Sequence, residues 1–353
     1  MSKRIEYIDA LRGFTMILVV AVHIYSLCFM QGNAKDCDLS YHNFFGLFRM
    51  PLFFFISGFV FYKFDRHWNW ITLKEFIKNK IRVQLLSTLV FFLLFCTLFQ
   101  TDYLASLYNS AKVGYWFTYV LFVYFILYIG IDLISNRLTG RAAFNNITIY
   151  ISLILGLLLY YFINNGVLLN LISPQMTSLL SISKWQYFIF FSFGCFFHKY
   201  YDFFLTTFNS KHIMGIILII FFCTSVCFFF QNNSNNQYLN NIILKFLAAL
   251  SGIILILFFF KNNESLFSNN RIMGNGLQKI GKRTLDIYFL HYFFLPLNLS
   301  FIGKWFTLYS NPLLEFSLSL VIASLVIICC LVVSQTIRLS PTLTYLLLGG
   351  KLK

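Results

Sequence analysis

A chain of 353 residues that is 59% hydrophobic, only 11% charged and +15 in net charge at neutral pH carries too little polar surface for a soluble globule, and its apolar runs repeatedly reach bilayer length. The basic excess follows the loops between those runs and shows neither a strand-tracking groove pattern nor zinc spacing, which sets nucleic-acid binding aside. Of the eight cysteines, Cys28, Cys96, Cys195, Cys223, Cys227, Cys329 and Cys330 fall inside apolar runs and Cys37 in a loop, so they spell no disulfide framework or metal motif.

The runs predict an all-α fold, a polytopic transmembrane helix bundle of about ten spans at residues 14–30, 44–62, 83–101, 115–134, 147–164, 185–198, 212–230, 242–260, 284–303 and 313–337. An ambiguous stretch, Val167 to Leu180, reads as an interfacial segment. Lys and Arg gather in alternate loops, as the positive-inside rule requires of ten spans with both termini in the cytoplasm. The loop before the third span alone holds Lys63, Arg66, Lys74, Lys78, Lys80 and Arg82, whereas the opposite loops hold only Lys35, Lys112, Lys184 and Lys304. The first span lacks a small-residue cleavage site and reads as a retained anchor. No repeat or Pro/Gly linker divides the chain, so residues 1–353 read as a single membrane domain without a fused soluble one. Lys261 to Arg283 reads as a long cytoplasmic loop, and Gln231 to Asn236 as an outer one.

The first informative segment is Arg4 to His23, where a charged stretch containing Asp9 and Arg12 runs into a span carrying a histidine. His23 follows Arg12 by eleven positions, which is three helical turns plus roughly 20°, so both occupy one helix face about 16 Å apart. An ionisable group within hydrocarbon costs roughly 2.5–3.5 kcal/mol on insertion scales, which makes His23 a functional candidate. In the second span, Arg49 sits within Phe48-Arg-Met-Pro-Leu-Phe-Phe-Phe-Ile-Ser-Gly58. Its guanidinium either snorkels to the interface or, given the small residues Ser57 and Gly58 nearby, faces the bundle interior.

Further along, Lys78 and Arg82 stand four apart, on one helical face. Trp116, in Tyr115-Trp-Phe-Thr-Tyr, is either part of an interfacial aromatic belt or a sugar platform. Asp286 and His291 are five apart and so not on one face; His291 either contacts substrate or is an interhelical packing histidine. The remaining histidines, His42, His67, His198 and His212, lie near loop borders with no metal spacing, so no metal is expected.

Asp9-x-Leu11-Arg12-Gly13 with its Arg-x10-His spacing, the Phe48 to Gly58 segment, Tyr115-Trp-Phe-Thr-Tyr and Thr284-Leu-Asp-Ile-Tyr-Phe-Leu-His291 together resemble the family-3 membrane acyltransferases, from residue 4 to about 337. The resemblance implies a ten-span enzyme that takes acetyl from acetyl-CoA, as a co-substrate with no tightly bound cofactor, and passes it to a hydroxyl of a cell-surface or lipid-linked glycan. It places the family histidine at His23 and the N-terminal arginine at Arg12. On that reading His23 is the general base, Arg49 faces the oxyanion, and Arg12, Lys78, Lys80 and Arg82 meet the phosphates of acyl-CoA. Asp9, Trp116 and His291 complete the candidate substrate contacts. The chain departs from the family in lacking an Arg-x-x-Arg pair near residue 80 and in having Ser87 and Thr88 near where many members carry proline. The expected partners are acyl-CoA, the glycan and membrane lipid, in a multi-pass protein of a cell membrane, the inner membrane if the source is bacterial. Two other classes fit buried His and Arg: a transporter or flippase for a polar substrate, which predicts inverted repeats not visible here, and a noncatalytic sensor.

Overall fold

The computed structural model of the protein describes residues 5–30, 41–63, 68–139, 144–231, 238–309 and 311–350. Arg4, Lys35, Cys37, Arg66, His67 and the outer-loop stretch 232–236 lie outside those residues. Among the described residues all regular structure is helical, with no strand. Eight helices among the described residues are long and apolar enough to cross a membrane: Glu6–Phe29, Tyr41–Phe61, Trp70–Leu98, Trp116–Ser135, Ile147–Asn164, Lys211–Phe229, Asn241–Asn262 and Pro312–Ile337.

The other two predicted spans are built differently. Residues 185–198 fall on a 3-10 turn, Ile182–Tyr187, followed by the helix Phe188–Lys199. The predicted span 284–303 is not one helix: Thr284–Leu290 tightens into a 3-10 turn, His291–Phe294, and stops. Pro296 explains the stop, since its ring disfavours a helical residue before it, and Leu295 is accordingly extended at φ −68°, ψ 126°. A separate helix, Ser300–Leu308, follows. The stretch 167–180 forms two short helices, Val167–Leu171 and Pro174–Leu179.

Two helices begin earlier than hydropathy alone suggests. The first starts at Glu6, with Glu6 and Asp9 in its first turn, where carboxylates oppose the positive helix end. The third span starts at Trp70 behind a capping box, in which Thr72 N donates to Asn69 Oδ1 and Asn69 N to Thr72 Oγ1.

The chain forms two compact units, Met1–Phe53 with Thr206–Thr336, and Phe54–Leu205 with Ile337–Lys353. In the first unit, the Glu6–His23 helix packs most extensively against Ile272–Lys282. The segment 261–283, expected as a loop, thus contains a helix, and its glycines explain how it docks. A Cβ on Gly13 would run into the Leu277 carbonyl, and one on Gly281 into the Asp9 carbonyl. The two backbones meet where neither side has a side chain.

In the second unit the same device recurs at Gly58, against the Phe191 backbone, and at Gly194, against Phe55. This is the close helix contact that Ser57 and Gly58 predict, and it seats an aromatic core including Phe54, Phe61, Phe125, Phe188 and Phe191. Between the helices, Lys112 is buried, with Nζ donating to the carbonyls of Leu107 (2.9 Å) and Ser178 (3.3 Å); its burial pulls the ammonium pKa below the ordinary lysine value.

Candidate active site

The first helix is unbroken α from Glu6 to His23, so the eleven-residue spacing of Arg12 and His23 keeps its geometric meaning. At the Arg12 end, Asp9 is buried and pairs with the guanidinium across one turn, Nη1 to Oδ1 3.9 Å, and Arg12 Nη2 donates to Thr284 Oγ1 at 3.3 Å. Asp9 therefore orients Arg12. The Arg12 side chain keeps 29% of its surface accessible.

At the other end, α geometry stops at His23 and a π-helical turn, Ile24–Phe29, takes over. Such turns widen the helix and displace side chains from α register, and they recur at functional sites. His23 is half-buried, and its Nε2 lies 3.3 Å from the Tyr292 hydroxyl. Its ring centre is 5.3 Å from His291 and 5.2 Å from Tyr292, and the last two are 4.0 Å apart. Arg49 opens its own helix, Arg49–Phe61, half-buried and within electrostatic reach of His23, Tyr41 and Tyr292. Its Nε and Nη1 are buried, which fits the inward-facing alternative and not snorkelling.

Residues that sequence reasoning did not select complete the cluster. Tyr41 donates its hydroxyl hydrogen toward Ser319 Oγ (2.5 Å) and the Ala21 carbonyl (3.2 Å), next to the start of the π turn. Tyr25 packs edge-on against Tyr41 and, 5.5 Å between centres, against His42, which is itself within electrostatic reach of His23. Tyr292 had one sequence signal, its place immediately after His291; Tyr41 and His42 had none, because nothing local in the chain ties them to residue 23.

Asp286 and His291 do not meet, as their spacing predicts. Asp286 accepts instead from Arg283 Nη1 (3.2 Å) and Ser334 Oγ (2.5 Å), stitching the Thr284–Leu290 helix to Pro312–Ile337.

The remaining predicted site residues belong to the second unit. Lys78 is exposed on Trp70–Lys80, and the Lys80 ammonium lies 4.2 Å from the Phe125 ring centre and 5.4 Å from Phe76. Arg82 lies in a second π-helical stretch, Ile81–Leu86, so the α register that would align it with Lys78 does not continue to it. Its Nε donates to the Gly349 carbonyl at 3.1 Å, its Nη2 to Asn79 Oδ1 at 2.8 Å, and its guanidinium sits over Tyr345. Trp116 is half-buried in an aromatic stack with Tyr187, with Lys184 Nζ 5.2 Å from its ring. Among the described residues no group of three His, Cys, Asp or Glu side chains is placed to hold a metal ion.

Eight apolar helices of membrane-spanning length among the described residues, with His23 and Arg49 carried on two of them, define a multi-pass membrane protein. Residues 5–335 match the acyltransferase 3 family, described as an acyltransferase domain, and the chain belongs to that family. It is a membrane acyltransferase. No curated protein and no solved structure matches the chain.

Proposed function

We propose that the protein transfers an acetyl group from acetyl-CoA to a hydroxyl of a cell-surface or lipid-linked glycan, with His23 as general base, in a cell membrane. The observation that carries this reading is the single helix that bears an oriented, accessible Arg12 at one end and an accessible His23, beside Tyr292 and Arg49, three turns away. Arg12 meets the anionic donor, and the reactive thioester reaches inward toward His23.

There the neutral imidazole takes the proton of the acceptor hydroxyl as its oxygen attacks the thioester carbonyl. The negative charge that collects on the carbonyl oxygen faces the permanent cation of Arg49. Collapse of the tetrahedral intermediate breaks the carbon–sulfur bond, and the proton held on His23 returns to the departing sulfur. The products are free CoA thiol and the acetyl ester.

Arg12→Gln separates donor binding from chemistry. It keeps a donor for Thr284 and removes the charge, so the KM for acetyl-CoA is expected to rise about tenfold, the size of a lost charge-assisted bond, while kcat changes less than about threefold. Steady-state thiol release in nanodiscs checks this. An unchanged KM with a collapsed kcat would remove Arg12 from the donor site.

A further inference from the structure

The His23 cluster contains a second histidine whose two nitrogens are in opposite situations. His291 is fully buried, at 0% accessible surface. Its Nδ1 lies 3.0 Å from the Ile287 carbonyl and 2.9 Å from the Tyr288 carbonyl. Carbonyl oxygens only accept, so Nδ1 must carry the hydrogen, and the neutral ring then presents Nε2 as a lone pair. That Nε2 has no hydrogen-bond partner among the described residues. Burying an acceptor without a donor costs stability, and native interiors avoid it except where a ligand or ordered water makes the missing bond.

The ring is also held in place. Tyr292 packs 4.0 Å from it, centre to centre, and the same tyrosine reaches His23 through its hydroxyl. The helix ends at His291, where the chain tightens into a 3-10 turn ahead of Pro296, so the carbonyls of Ile287 and Tyr288 are in the last turn and available to the imidazole. The histidine therefore caps its own helix with one nitrogen and leaves the other beside the proposed base.

We infer that His291 Nε2 is a fixed hydrogen-bond acceptor for a substrate O–H or N–H group held next to His23, an inference that rests on the acyltransfer reading above. Two substrates carry such donors: the acceptor sugar, through its hydroxyls, and acetyl-CoA, through the amide groups of its pantetheine arm. His23 removes a proton and His291 orients the molecule. The fixed tautomer keeps His291 from donating to the oxyanion, and that task stays with Arg49.

Asparagine and glutamine discriminate this role from a packing role. His291→Asn places an amide N–H where Nδ1 sits, so it keeps the helix tether and removes the acceptor at the Nε2 position. His291→Gln extends an amide oxygen toward the Nε2 position and gives up the tether. With acetyl-CoA as donor and chito-oligosaccharides as the acceptor probe, His291→Asn is expected to lose roughly 10-fold to 100-fold in kcat/KM with an unchanged melting temperature, and His291→Gln to recover part of the loss. A rise confined to the acceptor KM assigns the donor to a sugar hydroxyl; a rise confined to the acetyl-CoA KM assigns it to pantetheine.

The reverse order, with Asn equal to wild type and Gln impaired and less stable, would make His291 a helix cap and overturn the inference. Should neither variant fold, 15N-histidine NMR of the wild-type protein decides. The Nε2 resonance is expected to move toward that of a hydrogen-bonded nitrogen when acetyl-CoA or chito-oligosaccharide is added, and an unmoved resonance under saturating amounts of both overturns it. Absence of thiol release by the wild-type enzyme is a separate failure, that of the acetyl-CoA reading itself, and is seen before any variant is compared.

Discussion

His23→Ala is expected to lower acetyl transfer by about 10²- to 10⁴-fold, the usual worth of a positioned general base, while leaving the protein folded and able to bind acetyl-CoA. The reason for separating activity from folding is geometric. His23 is half-buried, and its hydrogen bond to Tyr292 is long at 3.3 Å, so truncation removes little packing and strands no strong partner. Arg12, with Asp9 and Thr284, stands three turns away on the same helix and is untouched. Initial rates in nanodiscs, with binding and melting temperature measured on the same preparations, check both halves of the expectation. A parallel fall in rate and in melting temperature would make His23 a packing residue.

The second large effect concerns stability. Gly281→Val is expected to cost more than about 3 kcal/mol, the upper range for overpacking a well-filled interface, because its Cβ would collide with the backbone carbonyl of Asp9 and no side chain can move aside. The Glu6–His23 and Ile272–Lys282 helices would have to separate, and with them the Asp9, Arg12 and Thr284 contacts. The same helix supplies its own control. A Cβ on Gly276 meets nothing within 4 Å, so Gly276→Ala is expected to stabilise the helix by roughly 0.5–1 kcal/mol through propensity alone. Thermal unfolding in detergent, followed by tryptophan fluorescence, should show the two substitutions moving in opposite directions. A tolerated Gly281→Val would mean that the two helices do not meet at this point.

These two cases also mark where the sequence was informative. Arg12 and His23 were legible because helix periodicity relates residues eleven apart, and Asp9 because it stands one turn from Arg12. Eight of the spans were legible because their apolar runs exceed bilayer length, and the break in the ninth had a local cause in Pro296. The Ile272–Lys282 helix was missed for a physical reason: three glycines lower its intrinsic helix propensity, and Gly281 is there to let a distant backbone approach. Both π turns were invisible, since no residue type marks them, and the turn at Ile81–Leu86 is what undoes the assumed alignment of Lys78 and Arg82. Tyr292 and His42 join His23 only through tertiary packing, with Tyr292 standing 269 positions after His23. Periodicity carries no information over that distance.

Arg82 illustrates how a basic residue can be placed by charge and then employed by packing. Positive-inside counting finds it, yet its Nε and Nη2 donate to Gly349 and Asn79. Gly349 adopts φ +64°, a left-handed conformation that a residue with a Cβ rarely takes, and closes the Pro341–Leu348 helix against Val83. In the second unit the guanidinium therefore holds the C-terminal cap of the Pro341–Leu348 helix.

Acetyl transfer at His23 is tested most directly by acceptor-dependent release of free CoA thiol from acetyl-CoA by the purified protein in nanodiscs, with transfer of radiolabelled acetyl to a glycan followed in the same reaction. Thiol release matched one for one by labelled glycan, both lost in His23→Ala, is the expected result. Thiol release without labelled glycan, or equal turnover by wild type and His23→Ala, would contradict it.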